Sequence, residues 1–187
     1  MDAPEASLEI IFETHSTSLD NEAGLASGHF DVDLSARGER QAVALGTRRR
    51  NDAIDVVYTS DLRRAWRTAE IAFGTTAVRI VRDQRLRECD YGELTRAPIA
   101  EIAAFRERAV SKPFPGGESY AQVVARITPW FAEIRSRHAR RVLVIGHRAT
   151  QYALEHLLLG IPLIEAVRRP LSWQPGWIYV VSGMPER

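Results

Sequence analysis

The sequence predicts a single α/β domain, a three-layer sandwich in which helices cover both faces of a mostly parallel central sheet. Short apolar runs alternate with stretches of helical periodicity, and the run "RRVLVIG" is almost entirely apolar. Such a run is typical of a strand covered on both faces, and strands separated by helices favour parallel pairing. Because no linker or internal repeat divides the chain, we expect one domain over residues 1–187, with its core between about residues 8 and 182.

The elements are predicted in a regular order along the chain. Apolar, β-branched runs predict strands in "LEIIF", "DVVYTS", "AVRIV", "RRVLVIG" and "GWIYVV". Helical periodicity predicts helices in "SARGERQAVALGTRRR", whose basic last turn suits the helix dipole, in "DLRRAWRTAEIAF", which stops at Gly74, in "APIAEIAAFRER" and in "ATQYALEHLLLG". "SKPFPGGES" has the composition of a loop.

One more helix is predicted directly after that loop. Ser119 and Gln122 have the spacing of a capping box, so the helix should begin there. Its buried face is predicted from the positions of four apolar residues, namely Val123, Ile127, Phe131 and Ile134.

Composition and charge restrict the classes of partner. The chain has 25 basic and 24 acidic residues and a formal net charge of +1, which gives no electrostatic reason to expect nucleic acid or a membrane surface. No apolar run approaches the ~20 residues that span a bilayer, and "MDAPEASLEI" lacks the pattern of a signal peptide. The single cysteine, Cys89, excludes an intramolecular disulfide. We therefore expect a cytoplasmic protein, and a homodimer could form through the edge of the last strand.

Two histidines follow predicted strands at equivalent points. His15 lies just past "LEIIF" and His147 directly follows "VLVIG", while Ser60 ends "VVYTS" and Arg64 lies one turn into the next helix. In open α/β sheets, ligands bind beyond the carboxyl ends of the strands. A single histidine is more often structural than catalytic, but this pairing favours a site. The histidines that lack such a placement are His29, His138 and His156, of which the last two are expected to be structural.

Several other chemistries fail on spacing. The sequence contains no H-E-x-x-H motif, no Cys/His cluster, no G-x-x-x-x-G-K-[ST] loop and no G-x-G-x-x-G loop. "DVDLS" resembles an aspartate-nucleophile motif, but no strand precedes it. Six residues separate Cys89 from Arg96, whereas the loop of thiolate phosphatases needs about five. No metal ion and no cofactor is therefore expected.

The remaining motifs resemble those of the histidine phosphatase superfamily, also called phosphoglycerate-mutase-like, from Leu8 to Val181. "THSTSLDN" aligns with the opening motif R-H-G-E-T-x-W-N of that family, and "DLSARGERQA" is similar to its P-L-T-x-x-G-x-x-Q-A helix start. "YTSDLRRAWRTAE", "RLRECDYGEL", "FPGGES" and "VLVIGHRAT" follow in the order that the family shows. Any one of these motifs is weak evidence, but together, in the expected order along almost the whole chain, they make the resemblance strong.

The resemblance implies a metal-independent phosphatase that hydrolyses a small phosphomonoester. His15 would be the nucleophile that forms a phosphohistidine, which water then hydrolyses. Arg64 would bind the phosphoryl oxygens, and His147 would hold a non-bridging oxygen. Glu88 would protonate the leaving group and then activate the water, although it could instead pair with Arg85 or Arg87.

Other residues of the aligned motifs are implied in substrate binding. Asn21 and Ser16 would be additional donors to the phosphoryl group, and Thr14 and Thr17 belong to the same opening motif. The loop from 92 to 118 and the segment from Trp173 to Trp177 are expected at the mouth of the pocket. Cationic residues that could bind a second anionic group there are Arg96, Arg106 and Lys112.

The sequence departs from the family pattern beside the nucleophile. Thr14 stands where the family has arginine, and Glu13 stands where an apolar residue is usual. Glu13 would repel a phosphate dianion unless it is paired or points away. After the second histidine, Arg148 replaces a small residue, and we hypothesise that it takes over part of the role of the missing arginine.

Three alternatives to hydrolysis stay open. A phosphoglycerate-mutase-like phosphotransferase is one, although the chain is short for the insertions that mutases use. A phosphate-binding member with weakened catalysis is the second. The third is a different reaction in which Glu13 serves as an acid or base.

Overall fold

The computed structural model describes residues 7–137, 139–170 and 174–182. His138 and Trp173 lie outside these residues, so the roles expected for them stay predictions.

The five strands of the described chain form one sheet, as the alternation of strands and helices predicted. They are β1 (Leu8–Thr14), β2 (Val56–Thr59), β3 (Arg79–Arg82), β4 (Arg141–Gly146) and β5 (Trp177–Val181). Their order across the sheet is β3-β2-β4-β1-β5, and all neighbours are parallel except β5, which runs antiparallel to β1. The mostly parallel sheet is therefore confirmed, and β1 and β4 are neighbours at its centre.

The longer helices lie where helical periodicity predicted them. The seven α-helices of the described chain are α1 (Leu19–Glu22), α2 (Ala36–Arg49), α3 (Arg63–Phe73), α4 (Ile99–Phe105), α5 (Tyr120–Arg135), α6 (Arg148–Leu159) and α7 (Leu163–Arg168). Three short 3₁₀ turns cover Gln84–Leu86, Gly92–Leu94 and Arg108–Val110. The sequence did not predict α1 and α7, because helices of four and six residues are too short to show a periodic pattern. None of the helices within the described residues is both long and apolar enough to cross a membrane.

Helices cover both faces of the sheet, which gives the predicted three layers. One face packs under α2 and α3, through a cluster that includes Ile11, Leu45 and Phe73. The other face packs under α5 and α6, through a larger cluster that includes Phe12, Ile127 and Tyr152. The residues of β4 from Val142 to Gly146 are all buried, as expected for a strand covered on both sides.

Helix α5 begins at the predicted capping box but has a slightly different buried face. Ser119 Oγ accepts the Gln122 N–H, and the Gln122 side chain accepts the Ser119 N–H in return. Three of the four predicted core residues are buried, whereas Phe131 is only half-buried. Trp130 takes the fully buried position and packs edge-on against Tyr58, with ring centroids 5.6 Å apart. Val123 and Trp130 are seven residues apart, about two helical turns, so they lie on the same buried face of α5. Phe131 lies one residue further along and is turned away from that face.

Strands β3 and β5 form the two edges of the sheet. On β5, the side chains of Ile178 and Val180 are 60% and 65% exposed. The homodimer expected through this strand stays a prediction.

Candidate active site

His15 and His147 meet beyond the carboxyl ends of the two central strands. The parallel ladder between β1 and β4 pairs Thr14 with Gly146, and the His15 N–H donates to the Gly146 carbonyl at 2.9 Å. Each histidine follows the last residue of its strand, so the ladder brings them side by side. Their ring centroids are 5.0 Å apart and the rings are tilted by 57°. Both histidines therefore project into one crevice, as their positions after the strands predicted.

His15 is held in one tautomer by its own loop. Its Nδ1 lies 2.8 Å from the backbone carbonyl of Ser16. Because a carbonyl oxygen only accepts, we assign the ring hydrogen to Nδ1, which leaves the lone pair on Nε2. Burial, and next the charge of Arg64, lower the pKa of His15 to about 3. The half-buried ring is therefore a neutral imidazole with a free nitrogen lone pair at physiological pH.

His147 is fully buried and is also neutral. Its Nε2 lies 2.6 Å from Ser60 Oγ, whereas its Nδ1 has no hydrogen-bond partner among the described residues. Burial first, and then the charges of Arg64 and His15, lower its pKa well below the usual value. His147 is the N-cap residue of α6, so its fully buried Nδ1 lies against the first turn of that helix.

Arg64 places a buried positive charge beside the two histidines. It lies in the first turn of α3 and is only 2% exposed. Its Nη1 and Nη2 donate to the carbonyls of Phe30 and Gly28 at 3.0 and 2.8 Å. No carboxylate of the described residues forms a salt bridge with it, and burial lowers its pKa, although a guanidinium remains charged. A buried cation without a direct counter-ion is costly, and this arrangement favours binding of an anion.

Glu88 is attached to the N-terminus of α6. Its Oε1 accepts the N–H groups of Cys89 and Ala149, and its Oε2 accepts the N–H of Arg148, at 2.8 to 3.1 Å. The carboxylate is buried and lines the same cavity as the histidines.

The alternative that Glu88 pairs with a neighbouring arginine is wrong. Arg85 instead binds Asp83 and Glu133, and Arg87 binds Asp61. Both arginines therefore pair with other carboxylates, and the Glu88 carboxylate lines the cavity.

The loop after β1 is fixed by hydrogen bonds to the helices beside it. The Ser16 N–H donates to Thr68 Oγ1 at 3.0 Å, and the Thr17 N–H donates to Gln41 Oε1 at 2.9 Å. Helix α2 can approach this loop because residue 38 is glycine, since a Cβ there would lie 2.0 Å from the Thr17 carbonyl oxygen. These contacts hold the backbone around His15 in place.

Asn21 has a structural task in addition to its predicted one. Its Oδ1 accepts the Ser18 N–H at 3.0 Å and so completes the capping box of α1. Asn21 is exposed and lines the cavity. Thr14, Ser16 and Thr17 also line the cavity but are less exposed. The four substrate-binding residues expected in the opening motif are thus all placed at the cavity, and their roles stay predictions.

Arg148 lines the cavity, but its guanidinium is engaged elsewhere. Its Nε donates to Tyr152 Oη at 3.0 Å, its Nη1 to Gln151 Oε1 at 2.8 Å and its Nη2 to the Arg169 carbonyl at 2.8 Å. Arg148 would have to exchange at least one of these bonds to reach a phosphoryl group. The hypothesis that it replaces the missing arginine therefore gains no support from these contacts.

Glu13, whose presence near the nucleophile was unexpected, is buried and doubly paired. Its Oε1 accepts from Arg48 Nη2 at 3.1 Å and from Arg49 Nε and Nη2 at 2.9 and 2.7 Å. The side chain is only 4% exposed. The two arginines offset the repulsion that an unpaired carboxylate would exert on a bound phosphate.

The cavity is large compared with a phosphoryl group. Its volume is about 810 Å³, near the upper end of the range for small-molecule sites. Alongside the predicted residues, it is lined by apolar and aromatic side chains, and by polar ones from α2, that sequence reasoning did not single out. Examples are Leu25, Tyr91, Tyr120 and Tyr152, and on α2 Arg37, Gln41 and Arg48.

The two segments expected at the pocket mouth contribute in part. Ile99, Ile102 and Arg106 line the cavity, and so does Trp177, which also packs against Phe12. Arg96, one of the three cations proposed for a second anion, instead pairs with the buried Asp20 at 3.1 Å. No group of three His, Cys, Asp or Glu side chains in the described part of the chain is placed to hold a metal ion.

Comparisons with known proteins identify the family of the chain. A family model described as histidine phosphatase superfamily (branch 1) matches residues 10–185. Phosphoserine phosphatase 1 of Hydrogenobacter thermophilus is 32% identical over 166 residues, which cover 83% of this chain and 78% of that protein. A probable phosphoglycerate mutase of Salmonella choleraesuis is 30% identical over 164 residues, which cover 83% and 76%. A solved mycobacterial glucosyl-3-phosphoglycerate phosphatase matches with a TM-score of 0.72 and 29% identity, over 87% of this chain and 86% of that one. The chain belongs to the histidine phosphatase superfamily.

Proposed function

We propose that this phosphatase hydrolyses a small phosphomonoester through a phosphohistidine on His15, without a metal ion. Membership of the superfamily, together with phosphatases among its relatives, makes the chain a phosphoric monoester hydrolase of the histidine type. The observation that carries the mechanism is the buried Arg64, which forms no salt bridge with a carboxylate among the described residues. Its positive charge lies beside two neutral histidines. A cation beside an uncharged nucleophile suits the binding of an anionic phosphoryl group and its attack by His15.

In the first step, the lone pair on His15 Nε2 attacks phosphorus. A P–N bond forms, and the P–O bond to the leaving alcohol breaks. The Ser16 carbonyl keeps Nδ1 protonated and so directs the reaction to Nε2. In the second step, water attacks the phosphohistidine, the P–N bond breaks, and inorganic phosphate leaves with His15 neutral again.

Three neighbouring side chains stabilise the charge and move the proton. Arg64 donates to the phosphoryl oxygens as negative charge develops on them. His147 holds a non-bridging oxygen, and the 2.6 Å contact of its Nε2 with Ser60 Oγ orients the ring. Glu88 gives a proton to the leaving oxygen and takes one from the attacking water. The three N–H groups that Glu88 accepts hold its carboxyl group in one position throughout.

The names of the relatives suggest the first substrates to assay. Phosphoserine and glucosyl-3-phosphoglycerate are the substrates named in two of them, and both carry a carboxylate in addition to the phosphate. The cavity offers further cations for a second anionic group, since Arg37 and Arg106 also line it. We therefore expect a phosphorylated small molecule with a second acidic group to be a better substrate than a simple aryl phosphate.

Turnover of p-nitrophenyl phosphate and phosphoserine tests the proposal. The wild-type chain should release inorganic phosphate in the presence of a chelator, and His15→Ala should release none above background. His156→Ala is a suitable control, because His156 lies outside the cavity and binds the Ile161 carbonyl. Full activity in His15→Ala, or activity that the chelator abolishes, would contradict the proposal.

A phosphotransferase is the second candidate, favoured by the similarity to a probable phosphoglycerate mutase. Incubation with a single phosphoglycerate isomer separates the two functions. Hydrolysis predicts phosphate and glycerate in equal amounts. A mixture of phosphoglycerate isomers with little free phosphate would identify a mutase.

A further inference from the structure

Two consecutive arginines at the end of α2 differ in how fully the protein uses their donors. Arg49 donates from Nε and Nη2 to Glu13, from Nη1 to Asp52 at 2.9 Å and from Nη2 to the Pro175 carbonyl at 2.9 Å. Its side chain is 10% exposed. Arg49 therefore ties β1, α2 and the segment before β5 together, and its role is structural.

Arg48 is anchored at one point only. Its Nη2 donates to Glu13 Oε1 at 3.1 Å, and within the described residues its other guanidinium N–H groups have no acceptor. The side chain is 32% exposed and lines the cavity that contains His15. A guanidinium carries five N–H donors in a planar fork, so most of the donors of Arg48 remain available to a ligand.

The Glu13 anchor places Arg48 on the face of the sheet from which His15 projects. The ladder between β1 and β4 extends through Thr14 to the His15 N–H, so Glu13 and His15 project from the same face of the sheet. Helices α2 and α3, which carry Arg48 and Arg64, cover that face. Thr14, the residue between Glu13 and His15, is uncharged, and β1 itself supplies no cation beside the nucleophile.

We propose that Arg48 is a second phosphoryl-binding residue of this site and acts together with Arg64. This assignment rests on the function proposed above. Glu13 holds one edge of the guanidinium, while the remaining N–H groups donate to a phosphoryl oxygen next to His15 Nε2. The second cation offsets the second negative charge of a phosphomonoester dianion, which the single charge of Arg64 leaves unbalanced.

Binding of inorganic phosphate tests the assignment independently of turnover. Titration calorimetry would compare the wild type with Arg48→Gln, which keeps much of the side-chain length but removes the charge. Loss of a charge-assisted contact should raise the Kd for phosphate about tenfold or more. The KM for p-nitrophenyl phosphate should rise by a similar factor. Arg40→Gln is the matched control, because Arg40 is an exposed arginine of the same helix that does not line the cavity.

Arg48→Lys guards against a failure of Arg48→Gln to fold, which thermal unfolding would reveal. Lysine keeps the charge but loses the fork, so it should give an intermediate Kd. An unchanged Kd for phosphate in a folded Arg48 variant would overturn the assignment, even if His15→Ala confirmed the proposed function. Weaker binding of phosphoserine with unchanged binding of phosphate would also overturn it, since Arg48 would then contact a second acidic group. A wild type that neither binds phosphate nor hydrolyses phosphomonoesters would overturn both proposals.

Discussion

The cation beside the two histidines is a buried residue, Arg64. Arg64 is almost inaccessible to solvent and is held by two backbone carbonyls, which orient the guanidinium without neutralising it. The two histidines beside it stay neutral because burial and the same arginine disfavour their protonation. Arg64 therefore supplies positive charge for the phosphoryl group, and the two histidines supply lone pairs and N–H donors.

Replacing Arg64 should therefore reduce activity strongly. We expect Arg64→Met to lower kcat/KM for p-nitrophenyl phosphate by about 100-fold or more, because a charge-assisted contact to the phosphoryl group is lost. Arg64→Lys should retain part of the activity. Arg63→Met is the control, since Arg63 is exposed and its guanidinium comes no closer than 3.8 Å to the carboxylates of Asp31 and Asp33. Equal kcat/KM values for the Arg64 and Arg63 variants would contradict this role.

The titration of His15 is a second consequence at this scale. With its pKa lowered to about 3, the imidazole should stay neutral through mildly acidic solution. An NMR titration of the ring C–H resonances, assigned with His15→Ala, should show no transition for this residue near the usual value of ~6.5. A midpoint near that value would show that the ring is solvated and would contradict a His15 that stays neutral in mildly acidic solution.

At the scale of elements, helix α2 forms one wall of the cavity. It packs against the loop after β1 at its start and against α3 further along. Gly46 makes the second contact close, because a Cβ there would lie 2.4 Å from the Ala72 carbonyl oxygen. The backbone of the two helices therefore meets directly at this point, and the positions of Arg48 and Arg64 depend on it.

Gly46→Ala should consequently destabilise the protein, although alanine is normally the better helix former. We expect the free energy of unfolding in urea to fall by about 2 kcal/mol, since backbone atoms cannot move aside as a side chain can. Thr47→Ala, at the neighbouring exposed position, should change it by less than about 0.5 kcal/mol. A stability gain in Gly46→Ala, as in an isolated helix, would contradict the close packing of α2 on α3.

The sequence predicted helix α2 but not what its polar face does. Arg37, Gln41 and Arg48 are spaced so that they share one face, and a polar face on a helix is usually solvated. This face lines the cavity because α2 packs across the end of β1. That packing depends on contacts between segments far apart in the sequence, which local patterns do not show. The same holds for Glu13, because its partners lie 35 and 36 residues away along the chain. By contrast, strand periodicity and short motifs are local signals, and they placed His15, Arg64, Glu88 and His147 at the cavity before the structure did.

At the scale of the whole molecule, the two buried histidines link stability to pH. Both have a lower pKa in the folded chain than the ~6.5 of an unfolded one. Above pH ~6.5 the histidines are neutral in both the folded and the unfolded chain, and they do not lower the free energy of unfolding. As the pH falls below it, the unfolded chain takes up protons that the folded chain does not, so the free energy of unfolding decreases. For His15 this loss continues until the pH reaches its folded pKa of about 3.

Urea unfolding as a function of pH measures this linkage. Each histidine should contribute a slope of about 1.4 kcal/mol per pH unit between about pH 6 and pH 4. In His15→Gln the slope should be smaller by that amount, and contributions from carboxylates cancel in the comparison. Identical slopes for the two proteins would show that His15 titrates alike in the folded and unfolded states.

The fold as a whole was predictable because its signals are repeated along the chain. Five apolar runs separated by helical segments specify a mostly parallel sheet, and the order of the motifs agrees with one family. The size and lining of the cavity were not predictable, since its walls come from α2, α4, α6 and β5 together. The substrate beyond the phosphoryl group is selected by those walls, and not by the local motifs that identify the chemistry.

The central claim, a phosphohistidine on His15, is tested most directly by trapping it. Glu88→Gln removes the group that activates water, while p-nitrophenyl phosphate has a leaving group that needs little protonation, so the intermediate should accumulate. After an alkaline quench and digestion, mass spectrometry should find one phosphoryl group on the peptide that contains His15. Hydrolysis of the substrate with no phosphate on this histidine, or with phosphate on another residue, would contradict the account.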